Sequence, residues 1–233
     1  MSQMKPHQRV NDILLGPLER PALAWLAMHM PAWVSPDTLT GIGVLGAVVI
    51  CLSYSLSNVH NGFLWLASLG FVINWFGDSL DGTLARYRHC ERPKYGFFVD
   101  HTVDSFNEVL IVLGLGFSPY VRFDVACLAL IGYLLMSILV FIRTYVEGVF
   151  QISYGRFGPT EIRVILILLN AIMFFTRPPS ITLSWATFTI YDLIVGVIAL
   201  LLVTLYLVSV LRQARGLYDL EGGAVRPAAE VGD

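Results

Sequence analysis

The sequence predicts an all-α integral membrane protein with six transmembrane helices and an N-terminal interfacial amphipathic helix. Three observations carry that prediction. The 233 residues are 56% hydrophobic and only 14% charged, whereas a soluble domain carries about 25% charge. Mean hydropathy is +0.68. Apolar stretches, most of them near the roughly 20 residues that a span needs, recur along the chain with polar connections between them.

The elements follow in chain order. Residues 8–30 are rich in Leu and Ala but interrupted by Asp12, Glu19, Arg20 and His29. That mixture suits a helix lying in the membrane interface rather than crossing it. It assigns residues 1–32 to a cytoplasmic and interfacial segment. Spans are expected at 39–58, 61–79, 98–118, 123–146, 161–176 and 186–211, within one membrane domain over 33–211. Residues 212–233 are polar, with Gly, Pro and Ala, and read as a largely disordered cytoplasmic tail. No cleavable leader pattern is expected after the polar start at Lys5, His7 and Arg9.

Basic residues set the orientation. Lys5, Arg9 and Arg20 precede the first span. Arg86, Arg88, Arg92 and Lys94 lie between the second and third, and Arg143, Arg156 and Arg163 flank the fourth connection. Arg212, Arg215 and Arg226 follow the sixth, and only Arg122 and Arg177 fall on the other side. Both termini, and the connection after the second span, are therefore expected to face the cytoplasm. A net charge of -2 gives no basic field and excludes nucleic acid as a partner. Cys51, Cys90 and Cys127 are too scattered for a disulfide framework or a zinc cluster.

The informative stretch is Asp78-Ser-Leu-Asp81-Gly82-Thr-Leu-Ala85-Arg86, followed after a gap by Gly96-Phe-Phe-Val-Asp100-His101-Thr-Val-Asp104. Carboxylates at a membrane edge are expensive unless they hold something. If the second span continues as helix through Arg86, Asp78 and Asp81 share a face, with Gly82 beside Asp78. Gly96, Asp100 and Asp104 recur every fourth residue and stack along one stripe. Antiparallel pairing of the two helices is expected to gather all four carboxylates. Such an oxygen set suits one or two Mg²⁺ or Mn²⁺ ions completed by phosphate and water. Two such ions neutralise a diphosphate and orient an attacking hydroxyl. Glycines on the same faces admit a ligand close to the backbone, and Arg86 adds a cation suited to phosphate.

These residues resemble a known signature. Asp-x-x-Asp-Gly-x-x-Ala-Arg, then Gly-x-x-x-Asp-x-x-x-Asp, is similar to the motif of the CDP-alcohol phosphotransferases. Asp78, Asp81, Gly82, Ala85, Arg86, Gly96, Asp100 and Asp104 meet its eight positions. The resemblance covers roughly residues 33–175. It implies a six-helix membrane core, homodimers, two divalent metals on Asp78, Asp81, Asp100 and Asp104, and nucleotide contacts near Gly82, Ala85, Arg86 and Gly96. It implies attack by an alcohol on the β-phosphoryl of a CDP-linked donor, with release of CMP. It also makes Asp104 a candidate general base.

Finer details resemble the choline and ethanolamine phosphotransferase branch. Ser35-Pro36-Asp37-Thr38-Leu39-Thr40 looks like that branch's Pro-Asn-x-x-Thr, with Asp37 in place of Asn. Asp37 and Thr40 are thereby candidate nucleotide contacts. Asp100-His101, then Asp104-Ser105-x-Asn107, echoes the branch, as do Thr144-Tyr145-Val146-x-Gly148 and Thr160-Glu161. Branch members transfer phosphocholine or phosphoethanolamine to diacylglycerol, so His101 and Glu161 become candidates for deprotonating a lipid hydroxyl. Glu161 after Gly158-Pro159-Thr160 equally fits an ordinary helix start.

Two enzymatic readings follow from the same metal site. One has a CDP-headgroup donor and a lipid-alcohol acceptor. The other has CDP-diacylglycerol as donor and a polar alcohol as acceptor. His101, Thr144-Tyr145 and Thr160-Glu161 favour the first. A divalent-cation transporter is the non-enzymatic alternative. It leaves Gly82, Arg86 and Gly96 without a role, and the acids concentrate at one end of the spans.

Overall fold

Each of the six apolar stretches contributes a helix in the computed structural model, which describes residues 14–147, 158–176, 180–182 and 187–222. The helices are α1 (Gly16–His29), α2 (Pro36–Leu56), α3 (Phe63–Tyr87), α4 (Pro93–Gly116), α5 (Phe123–Glu147), α6 (Pro159–Phe175) and α7 (Ile190–Gly222). Lys5, His7, Arg9, Gly148, Arg156, Arg177, Trp185 and Arg226 lie outside the described residues.

Four of these helices, α2, α3, α5 and α7, are long and apolar enough to cross a membrane. The two others expected to span differ for separate reasons. α6 has 17 residues, and α4 carries Asp100, Asp104 and Glu108 along its length. Beyond residue 211 the chain departs from the expected disordered tail, because α7 runs on unbroken to Gly222. An antiparallel hairpin of β1 (Ser180–Thr182) and β2 (Thr187–Thr189), not foreseen from the sequence, precedes α7.

Local chemistry sets the helix starts. Ser35 caps α2 by accepting from the Thr38 backbone N–H at 3.1 Å, and Pro36 supplies a preset φ in the first turn. Pro93 and Pro159 open α4 and α6 in the same way. α3 ends where His89 adopts a left-handed φ of 52°, and the Cys90 N–H reaches back to the Ala85 carbonyl at 3.0 Å. That closure turns the chain away from the helix axis and frees it for α4.

Helix α2 is the hub. It packs along α3 and also against α4, while α3 reaches α6 and α1, and α5 packs on α7. The α2–α3 seam brings backbones together at its glycines. A Cβ on Gly46 would lie 2.5 Å from the Asn74 backbone nitrogen, and one on Gly77 would collide with the Gly43 backbone. Gly70 meets Ile50 in the same seam, and Gly114 of α4 lies against Cys51 of α2. The small-residue stripe of the first span thus serves close packing at Gly43 and Gly46, while Gly41 faces open space.

Polar bridges cross the apolar core. The Tyr54 hydroxyl donates to Asn170 at 2.9 Å, and the Asn170 amide donates to Ser68 at 3.2 Å. They join α2, α6 and α3 beside a core of Ile50, Leu64, Phe71 and Met173. Helix α1 packs on α3 through Leu23 and Ala27 against Leu80 and Leu84. Glu19 of α1 accepts from the Trp75 indole at 2.8 Å and the Thr160 hydroxyl at 2.7 Å. Arg88 donates to the carbonyls of Met30, Pro31 and Val34, which ties the α1–α2 connection to the end of α3.

Candidate active site

Asp78 of α3 and Asp100 and Asp104 of α4 converge. One carboxylate oxygen from each lies within 4.8 Å of the others. The direct pairing of the two acid-bearing helices expected from the sequence is not what gathers them. Both helices pack on α2, and the carboxylates meet beside it. Two unit charges at this separation repel by about 3–4 kcal/mol at an effective dielectric constant near 20. A divalent cation offsets that repulsion, and a set made only of hard oxygens suits Mg²⁺ or Mn²⁺ over softer ions.

Asp81 stands next to this trio rather than in it. It is near enough to Asp78 and Asp100 for their charges to interact. Its Oδ2 accepts from the Thr40 hydroxyl at 2.6 Å and its Oδ1 from the Gly82 N–H at 2.5 Å. Thr40, a candidate nucleotide contact, is thus bonded to Asp81. Asp37, another such candidate, pairs with Arg92 at the surface. That contact holds the Arg92 pKa above its ordinary value, and the guanidinium also lies 4.1 Å from the Tyr95 ring centroid.

The glycines beside the acids leave their backbone open. A Cβ on Gly96 would meet nothing within 4 Å, and one on Gly82 would meet only the Arg86 guanidinium. Protein packing therefore does not require glycine at either place, whereas a ligand lying on the backbone does. Ala85 accepts the closing hydrogen bond of α3 from Cys90. Arg86 is exposed at the same helix end and donates to the Thr83 hydroxyl at 3.2 Å.

His101 lies one residue round the helix from the acidic stripe. Its Nδ1 donates to the Phe97 carbonyl at 2.8 Å, which leaves Nε2 as the basic nitrogen of the neutral ring. The ring stacks on Phe97 at 4.2 Å and stands 3.7 Å from an Asp100 oxygen. It lines a cavity of about 380 Å³ with Phe97, Phe98, Thr102, Ser105 and Phe141.

Glu161 is engaged elsewhere. One carboxylate oxygen accepts from the Gly158 N–H at 2.9 Å and the other from the Leu15 N–H at 2.7 Å. Gly158 has no side chain to reciprocate, so only half of a capping box forms. The residue is 4% exposed, and two N–H donors account for both of its oxygens. Of the two sequence readings, these contacts supply the helix start.

Sequence reasoning placed Arg163 among the basic residues of the cytoplasmic edge. In the fold it donates from Nη2 to Asp78 at 2.5 Å and from Nε to Asn74 at 2.9 Å. Its Nη1 is buried and takes no partner among the described residues. The available signal was Asn74, four residues before Asp78 and on the same face.

An oxygen-only acidic cluster embedded among long apolar helices defines a class, that of polytopic membrane proteins built to hold charge at one end of a bundle. Residues 33–205 match the CDP-alcohol phosphatidyltransferase family, and the chain belongs to it, a family of membrane transferases. It is similar to cholinephosphotransferase 1 of Danio rerio, 29% identical over 189 residues, covering 74% of this chain and 48% of that protein. It is similar to archaetidylinositol phosphate synthase of Pyrococcus horikoshii, 31% identical over 160 residues, covering 66% of this chain and 80% of the relative. A phosphatidylinositol phosphate synthase of Cutibacterium acnes is 37% identical over 86 residues, 36% of this chain and 38% of its own. The chain spans about half the length of the vertebrate cholinephosphotransferase it matches.

Proposed function

We propose that this protein transfers a phosphoethanolamine- or phosphocholine-like headgroup from a CDP-alcohol to a lipid alcohol such as diacylglycerol, releasing CMP at the cytoplasmic face. The convergence of Asp78, Asp100 and Asp104 within 4.8 Å is the observation that carries this reading. Asp78, Asp100, Asp104 and, beside them, Asp81 would hold one or two Mg²⁺ or Mn²⁺ ions, which would supply charge neutralisation to the pyrophosphate and its leaving oxygen.

The chain's own residues do the rest. Gly82 and Gly96 let the nucleotide lie against the backbone, and Arg86 faces its phosphates. The lipid hydroxyl oxygen attacks the β-phosphorus, the anhydride bond breaks, and CMP leaves with the bridging oxygen. The hydroxyl proton passes to Asp104 or to Nε2 of His101. Phe97, Phe98 and Phe141 give the acceptor an apolar approach beside that imidazole. Glu161 supports the reaction by holding the start of α6. A homodimer, as the resemblance implies, completes the reading.

The second reading is phosphatidyl transfer from CDP-diacylglycerol to a polar alcohol. The names of the archaeal and bacterial synthases among the relatives favour it. The first reading is preferred because the Asp-His-x-x-Asp-Ser-x-Asn detail of α4 resembles the choline and ethanolamine branch. Purified protein incubated with radiolabelled CDP-ethanolamine, CDP-choline or CDP-diacylglycerol separates the two. Labelled lipid from either CDP-amino-alcohol is expected, and lipid product from CDP-diacylglycerol alone overturns the choice. Ion flux in proteoliposomes without any CMP release returns the transporter.

A further inference from the structure

We infer that Arg163 is a positioning residue for Asp78, held at a fixed angle by a strut built on Asn74. This inference rests on the metal-holding role proposed for Asp78. The strut starts on α2, where the Gly43 carbonyl accepts from the Asn74 Nδ2 at 2.9 Å. Asn74 is 1% exposed and is wedged against Gly46. With its amide nitrogen engaged, its Oδ1 points to α6 and accepts from Arg163 Nε at 2.9 Å. Arg163 Nη2 then reaches Asp78 Oδ2 at 2.5 Å.

A guanidinium is planar and rigid, so its Nε and Nη2 donors keep a fixed relation to each other. Fixing one partner fixes the direction of the other. Asn74 sets the plane, and the plane sets the Asp78 carboxylate. One Asp78 oxygen also belongs to the cluster with Asp100 and Asp104. The side chains of Arg163 and Asp78 are 14% and 19% exposed, so water competes little for this bond. One chain of hydrogen bonds thus links α2, α3 and α6 to a single metal ligand. Partners that orient ligating carboxylates typically change metal affinity by about 10–100-fold when removed.

Lysine at 163 separates positioning from charge, because it keeps the cation but replaces the rigid planar fork with one ammonium on a flexible stem. The experiment titrates Mn²⁺ into purified, detergent-solubilised protein and reads the free ion by EPR, with no substrate present. Arg163→Lys and Asn74→Ala are each expected to raise the Mn²⁺ dissociation constant about tenfold. The double variant is expected to be no weaker than the weaker single, since both changes cut one strut. The Mn²⁺ activation constant for CMP release is expected to rise in parallel, with kcat at saturating Mn²⁺ kept within a few-fold of the parent protein.

Wild-type affinity in Arg163→Lys, or effects that multiply in the double variant, overturns the inference. If Arg163→Lys elutes as aggregate, Asn74→Ser decides alone, and an unchanged dissociation constant there overturns it. Failure of the unsubstituted protein to bind Mn²⁺ at all removes the metal reading itself. That outcome is distinct from the case in which only the variants behave normally.

Discussion

Asp192 and the Asp78–Asp100–Asp104 trio place carboxylates inside this bundle in opposite ways. Asp192, at the start of α7, is 3% exposed. Its Oδ1 accepts from the Arg122 N–H at 2.6 Å and its Oδ2 from the Thr189 N–H at 2.7 Å. Both oxygens serve the backbone, and the residue knots the β-hairpin to the α4–α5 turn and α7. Asp78, Asp100 and Asp104 instead bring oxygens towards one another. A lone acid on N–H donors stabilises a chain reversal, whereas three acids within touching range repel unless a cation joins them. Burial of an acid is therefore a poor guide to function, and the identity of its neighbours is a good one. From sequence alone Asp192 looks isolated at an interface. The fold shows it buried, because its partners come from two other segments.

The contrast can be tested from both sides. Asp104→Asn is expected to lower CMP release by about 10²–10⁴-fold while the protein still elutes as a folded species on size exclusion. Near-normal turnover there would remove both the proton-accepting and the ion-holding role. Asp192→Ala is expected to do the reverse. Orphaning its buried N–H donors costs about 1–3 kcal/mol of stability, read as a lower unfolding midpoint in detergent, with turnover per folded molecule kept. A selective loss of turnover in that variant would erase the distinction between the two acidic sites. Glu161→Gln gives the smallest change, about 1 kcal/mol, because one acceptor oxygen survives. A loss of CMP release far larger than the loss of folded protein would instead return Glu161 to the proton-transfer step.

Much of this was legible in the sequence because its signals were local. The six helices follow from apolar length, and the motif from Asp78 to Asp104 needs only spacing along two helices. Long-range partners were not legible. The neighbour of Asp78 lies on α6, 85 residues away, and no periodicity points to it. The pairing of Asp37 with Arg92, 55 residues away, was equally hidden. Chain adjacency suggested that the acid-bearing helices pair directly. Gly70 and Gly77 of α3 and Gly114 of α4 decide otherwise, because each removes a side chain where α2 must fit. Polarity alone also hides the helix over 212–222. Leu211, Arg212, Gln213, Ala214 and Arg215 are strong helix formers, and α7 continues through them.

The glycine seam between α2 and α3 has a mechanical consequence. Side chains act as a compliant layer between rods, and at Gly43, Gly46 and Gly77 that layer is missing, so the two helices are braced backbone to backbone there. Asp78, Asp81 and Thr40 sit on this braced pair, with Thr40 bonded to Asp81 across it. Any looser motion at this end of the bundle then falls on the other wall, where α4 and α5 leave a gap lined by phenylalanines.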